Sequence, residues 1–316
     1  MSLSKSKFII NKETYKAHLA LLGANVIYGM NHIIAKDIMP EKLGPTAFIF
    51  LRILGASLLF WTINSFIREK IDKEDYFRLI VCGVLGIAIN QLLYFHGLNL
   101  TSPIDASIIY TSVPVLVLIF SYFILKEKIT TTKMIGIFIG GIGALLLILY
   151  GNKNEGTSTI LGNAFIFSNA IFYAFYLVYV KPLMKKYQPI TVISWVFLIG
   201  FIFMIPVGLN NFLSINFKAF TLNTYLVIAF VLFGTTFLTY LFNIYALSKV
   251  PPSVNGSYIY LQPVVSFVMV SIYAFVLNKN EYAQDINIIK IISSILVIAG
   301  VYLISTKGKI KQTKTG

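Results

Sequence analysis

Polar side chains set at helical spacing inside long apolar runs are the residues of this chain that could do chemistry, and the chemistry they suit is non-covalent capture. On the first apolar run, Asn25, Tyr28, His32 and Lys36 recur every three or four residues and share one helix face. On the third, Gly83, Gly86, Asn90, Tyr94 and Gly97 do the same, with Gln91 beside them. The fourth carries Ser107, Tyr110, Thr111 and Pro114; the sixth carries Asn169, Tyr173 and Tyr176. The eighth carries Thr236, then Thr239 or Tyr240, then Asn243, and the ninth carries Asn255, Tyr258, Gln262 and Pro263. Polar groups at membrane depth are costly and face a bundle interior or a cavity. From these stripes the expected cargo-binding residues are Asn25, Tyr28 and His32, then Asn90, Gln91, Tyr94 and Tyr110. Tyr173, Tyr176, Thr239, Asn243, Asn255, Tyr258 and Gln262 complete the set. For any one of them, bonding helix to helix is an equal alternative.

Covalent and metal chemistry find no support. The chain has three histidines, none at ligand spacing with another, and one cysteine, Cys82, which excludes an internal disulfide and a cysteine-based cluster. There is no glycine-rich phosphate loop, no Walker lysine and no His-Glu-x-x-His helix. No catalytic residue, metal or cofactor is expected, and the protein is read as not an enzyme. Asp105, near the start of the fourth run, and His96, near the end of the third, are candidate coupling or gating groups, with a proton as the coupling ion. Asp105 can equally stabilise its helix N-terminus. Arg52, in the second run, is expected to have a structural role on the outer wall, paired with backbone carbonyls or snorkelling.

These residues need long apolar helices to position them, and the composition supplies them. The chain is 57% hydrophobic and 12% charged, with a mean hydropathy of +0.79. Soluble domains carry about 25% charged residues, and many of the runs here reach the ~20 residues that cross a bilayer as helix. Ten spans are expected, at about 17–36, 46–67, 78–98, 102–125, 133–150, 161–181, 190–209, 222–247, 252–277 and 287–306. The net charge of +14 invites a nucleic-acid reading, but it follows the positive-inside rule instead. With both termini inside, nineteen Lys and Arg fall on the inner side and six on the outer, with Arg52 within a span. The expectation is a multi-pass inner-membrane protein with cytoplasmic termini, whose partners are the bilayer and a small-molecule substrate and not nucleic acid, working as a monomer or homodimer. Residues 1–16 read as an uncleaved tail and 307–316 as a basic tail.

The chain also repeats itself. Pro103 and Pro114 stand 11 residues apart, as do Pro252 and Pro263, 149 residues further on. At the same offset Leu98 matches Leu247 and His96 matches Tyr245; at an offset of 145, Tyr28 matches Tyr173 and Lys36 matches Lys181. Two five-span halves, 17–150 and 161–306, are therefore joined by a linker at 151–160. An odd number of spans turns the second half upside down, the arrangement of secondary transporters with a site at the repeat interface. Spans 1, 3, 4, 6, 8 and 9 are expected to line that cavity and the others to form its wall. Pro114 and Pro263 are expected to act as hinges, because a proline removes a backbone hydrogen bond from a helix interior. Gly136, Gly140 and Gly143 read as close helix packing.

The ordered motifs resemble the drug/metabolite transporter superfamily, in its EamA-type ten-helix branch, over nearly the whole chain. Tyr28-Gly29-Met30-Asn31-His32-Ile33-Ile34-Ala35-Lys36 is similar to the family's opening helix, and Pro45 through Phe50-Leu51-Arg52 to its second. Pro103, Ala106-Ser107, Pro114-Val115 and Glu127 follow its fourth-helix pattern, and Gly136 with Gly143 its fifth. Leu161-Gly162, Tyr173-Ala174 and Lys181 resemble the repeat's opening, with Gly234-Thr235-Thr236 and Tyr240 in its eighth helix. Glu281 departs, standing 18 residues after Pro263 where Glu127 stands 13 after Pro114, and Ser293 occupies the place matching Gly136. The resemblance implies an inverted five-plus-five bundle and export of amino acids or other small metabolites.

The function expected is therefore secondary transport by alternating access, with amino acid export as the leading cargo and direction. A neutral cavity rich in amides and tyrosines suits a zwitterion with an apolar or aromatic side chain. Nucleobases, sugars or drug-like cations are the alternative cargo, and a non-transporting receptor or scaffold is the alternative class.

Overall fold

The computed structural model describes residues 12–34, 43–67, 69–101, 106, 109–149, 159–276 and 288–305. Asp105, Ser107 and the side chain of His32 lie outside the described residues, so the expectations placed on them stay as stated. The described residues form an all-helical bundle. Five helical units are long and apolar enough to cross a membrane: Pro45–Ile67, Lys73–Leu100, Ile160–Lys186, Pro189–Leu213 and Leu222–Lys249. Shorter apolar helices include Val113–Leu125, and the 23-residue Lys12–Ile34 helix opens the bundle.

The two halves interlock rather than sit side by side. The Lys12–Ile34 helix of the first half packs against Thr239–Lys249 and Leu261–Val276 of the second. Its counterpart, Ile160–Tyr179, packs against Asn90–Leu100 and Val113–Leu125 of the first. Each half's opening helix is thus held by the other half, which places the six polar-striped helices around one axis.

Two further pairs close the outside. Pro45–Ile67 lies along Pro189–Leu213 through rings: Phe60 meets Phe197 at 5.0 Å between centroids, and Trp61 meets Trp195 at 5.3 Å. Thr131–Leu149 lies along Ile288–Ser305 with backbones touching. A Cβ added at Gly300 would stand 2.5 Å from the Gly140 Cα, and one at Gly143 2.8 Å from the Ser293 carbonyl. Small residues permit this approach, and dispersion then drives association in lipid. The glycine spacing expected to mark close packing does so, and Ser293 fills the position where the repeat pattern departs.

The proline-marked spans break at equivalent places. A turn at Thr111–Ser112 precedes the Val113–Leu125 helix, and a 3-10 turn at Tyr258–Tyr260 precedes Leu261–Val276. Pro114 and Pro263 therefore sit in the first turn of the continuing segment, where a missing N–H costs least. The interruption falls just before each proline, because its ring clashes with the carbonyl four residues earlier.

A second paired irregularity has no proline behind it. Val84–Ile89 and Phe230–Leu238 are π-helical, and the last six residues of the second lie 149 positions after the first. Each contains a single glycine, Gly86 or Gly234. A Cβ at Gly86 would stand 2.4 Å from the Tyr176 ring, so this wide turn is where the third span presses onto the sixth. Such turns favour functional sites.

Polar ties cluster at one end of the bundle, where those of Glu127, Glu13 and His18 join the halves and that of Lys181 lies within the second. Lys126 takes a left-handed conformation, φ 56°, at the end of Val113–Leu125. The chain reverses there, and the Glu127 carboxylate meets both Lys133 and the Ser253 hydroxyl of the other half. Lys181 caps the carbonyls of Leu247 and Val250, the favoured use of a lysine at a helix C-terminus. Tyr245 donates to Glu13 at 3.1 Å, and the His18 Nδ1 lies 2.8 Å from the Tyr258 hydroxyl.

Candidate substrate cavity

A cavity of about 50 Å³ lies where the interlocked helices meet. Tyr28 and Asn31 reach it from the first span and Arg52 from the second. Asn90, Gln91, Tyr94 and Phe95 reach it from the third, Tyr110 from the fourth and Tyr173 from the sixth. Tyr240 and Gln262 complete the lining from the eighth and ninth. Larger hollows open at the surface: an apolar crevice beside Leu19, Ile190 and Phe242, and a polar one beside Asn64, Glu69 and Lys70, neither of them lined from the interlocked centre.

The lining is built by pairs across the repeat. Gln91 Nε2 donates to the Tyr240 hydroxyl at 2.7 Å; these residues are 149 apart, so each meets its own repeat counterpart. Asn169 Nδ2 donates to the Asn90 carbonyl at 2.7 Å, and Asn90 Nδ2 to the Asn169 carbonyl at 3.4 Å, clasping the third span to the sixth. Gln262 Nε2 donates to Asn25 Oδ1 at 2.8 Å, tying the ninth span to the first. Aromatic rings extend the wall: Tyr94 meets Tyr110 edge-on at 5.9 Å, and Tyr110 stacks with Tyr173 at 6.2 Å.

Of the residues expected to bind cargo, Tyr28, Asn90, Gln91, Tyr94, Tyr110, Tyr173 and Gln262 are brought to this one cavity. Others are placed as struts. Asn25 donates to the Leu21 carbonyl, Asn243 to the Thr239 carbonyl, both at 2.8 Å, and Asn255 to the Asn243 carbonyl at 3.2 Å. Thr239 bonds back to Thr235 at 2.6 Å, and Tyr240 takes its place at the cavity. The π-helical turn just before it adds a residue per turn and so rotates the face that α-helical counting assigns to Thr239. Tyr176 is packed against Gly86, and Tyr258 bonds His18. His96 Nε2 lies 3.0 Å from the Thr46 hydroxyl, outside the lining.

Arg52 is a correction. It is neither on the outer wall nor snorkelling: it is 4% exposed and lines the cavity. Its Nε donates to Thr236 Oγ1 at 2.9 Å, and its guanidinium carbon lies 4.5 Å from the centroid of Phe95. Pro45–Ile67 turns this residue inward because its opposite face is committed to the apolar pairing with Pro189–Leu213. Asn31 was also missed as a lining residue. The signal that could have found Arg52 is its charge, since an ionisable residue within a span is a site candidate by default.

Among the described residues this constellation offers hydrogen bonds, one fixed positive charge and aromatic faces, and no nucleophile with a base beside it. Among the described residues no cluster of His, Cys, Asp and Glu could hold a metal. The fold and the cavity define a membrane-embedded multi-pass bundle built from two repeats. The model of the EamA-like transporter family matches residues 15–149 and again 160–306, and the chain belongs to that family, within the drug/metabolite transporter superfamily. "Uncharacterized transporter YetK" of Bacillus subtilis is 26% identical over 93% of this chain and 90% of its own length. "WAT1-related protein At4g30420" of Arabidopsis thaliana is 21% identical over 90% and 84%. A solved crystal structure superimposes with a TM-score of 0.71 at 15% identity, covering 92% of this chain and 96% of the other, a likeness of fold. Family and relatives point to a transporter rather than an enzyme.

Proposed function

We propose that the protein moves amino acids across the cytoplasmic membrane by alternating access, outward from the cell, with the central cavity as the cargo site. The observation carrying this reading is that the cavity is lined from both interlocked halves while being too small for cargo. Ligand sites run to about 300–1,000 Å³, against about 50 Å³ here, room for one or two waters at ~30 Å³ each. The conformer is thus too narrow to hold cargo, and cargo enters when the halves rock apart. Four places of weakened backbone bonding allow that movement: the breaks before Pro114 and Pro263 and the two π-helical turns. The ties of Glu127 to Ser253 and of Tyr245 to Glu13 lie at the lysine-rich end, which the positive-inside rule assigns to the cytoplasm. They act as the inner gate.

Flux into proteoliposomes tests the reading. Purified protein is expected to give saturable counterflow of at least one proteinogenic amino acid. Absence of saturable flux for all twenty would remove this cargo class.

A further inference from the structure

The cavity contains two buried polar atoms that the fold leaves unanswered. Arg52 and Asn31 are each 4% exposed. Among the described residues neither Arg52 Nη1 nor Asn31 Oδ1 has a hydrogen-bond partner, and both residues line the cavity. Among the described residues ten buried side-chain atoms lack a partner, and these two are the ones on residues that line the cavity, where a ligand could answer both. Arg52 is otherwise well held. Its bond to Thr236 and its position over Phe95 fix the guanidinium plane, and among the described residues no carboxylate lines the cavity. A fully structural arginine would have its donors used or its charge matched, because an uncompensated buried charge opposes folding.

The orphans are of opposite kind. Arg52 Nη1 is a cationic donor and Asn31 Oδ1 a neutral acceptor. A ligand that answers both carries an anion at one point and an N–H donor at another, which is the head group of an α-amino acid. We propose that Arg52 and Asn31 are the two poles of a zwitterion site. Arg52 donates to the cargo's carboxylate, a charge-assisted bond, and Asn31 accepts from its ammonium group. The tyrosine rings then face the cargo's side chain. The proposal rests on the transport reading above and adds the group that each end of the cargo meets.

The test uses purified full-length protein, with thermal shift for binding and proteoliposome counterflow for transport. All twenty proteinogenic amino acids are screened, and matched sets dissect the head group. One set is leucine, leucinamide, isoamylamine and 4-methylpentanoate; the other is phenylalanine, phenylalaninamide, phenethylamine and 3-phenylpropanoate. The expected result is stabilisation by amino acids and not by the amide, the amine or the plain acid. Arg52→Met and Asn31→Leu are each expected to weaken amino acid binding ~10- to 100-fold. Arg52→Met should at the same time leave the unliganded melting temperature unchanged or raised, since the desolvation cost of a buried charge without a carboxylate partner offsets its bond to Thr236 and its contact with Phe95. A merely structural arginine predicts a fall.

Equal stabilisation by amides or amines overturns the Arg52 pole, and equal stabilisation by plain acids overturns the Asn31 pole. The comparison is made on the unsubstituted protein and survives any variant that fails to fold. Saturable amino acid flux that persists in Arg52→Met would sink the site while sparing the transport reading. Loss of both flux and shift for all twenty amino acids in the unsubstituted protein sinks both.

Discussion

The pair Thr131–Leu149 and Ile288–Ser305 and the cavity helices solve opposite problems with the same apolar alphabet. In the pair, glycines let backbones touch over several turns, and a Cβ at Gly300 would collide with the Gly140 backbone at 2.5 Å. In the cavity the backbone departs from α-helix in four places, and Arg52 Nη1 and Asn31 Oδ1 are unpartnered. One region is closed to change in volume; the other keeps free polar groups and soft backbone. The contrast teaches that close packing and free polar groups are segregated by face: Pro45–Ile67 gives its ring-bearing side to Pro189–Leu213 and turns Arg52 into the cavity.

The largest expected effect breaks the rigid side. Gly140→Leu should cost about 3 kcal/mol or more, as overpacking against a backbone that cannot yield, read as loss of monodisperse protein or a steep drop in melting temperature. A drop no greater than that of Tyr110→Phe in the cavity would erase the contrast. Next comes the clasp at the cavity's edge. Asn169→Leu removes its 2.7 Å bond to the Asn90 carbonyl and should cost about 1 kcal/mol, with a thermal shift to match. An effect of about the same size concerns the repeat-related pair Gln91 and Tyr240. A double-mutant cycle with Gln91→Met and Tyr240→Phe should return a coupling of roughly 0.5–1.5 kcal/mol; additivity would mean the bond contributes nothing. Smallest of all, Lys16→Ala removes an exposed pair with Glu13 at 3.0 Å and should not move the melting temperature measurably.

Much of this was legible in the sequence, for definite reasons. Proline removes a backbone donor and crowds the preceding turn, so Pro114 and Pro263 announced breaks that are there, although Pro206 lies within an unbroken helix. Glycine spacing announced the Gly136, Gly140 and Gly143 contact. Polar stripes named seven of the lining residues, because amides and tyrosines at helical spacing inside apolar runs have few places to go. Arg52 was misread because a lone charge on an otherwise apolar helix does not say which face it is on; the ring pairing of Pro45–Ile67 with Pro189–Leu213 decides that. Thr239 was preferred to Tyr240 because α-helical counting cannot see a π-helical turn that no proline marks. The offset of 149 between Gln91 and Tyr240 was readable, and a residue meeting its own repeat counterpart marks the axis.

Accessibility of the cavity from each face of the membrane tests the central claim most directly. Tyr110→Cys in a Cys82→Ser background leaves one thiol on the cavity wall, and an impermeant thiol reagent is applied to either side of oriented vesicles. Alternating access predicts labelling from both sides, with protection by the transported amino acid. A thiol that reacts from neither side, with or without amino acid, would contradict it and leave a sealed, packed core.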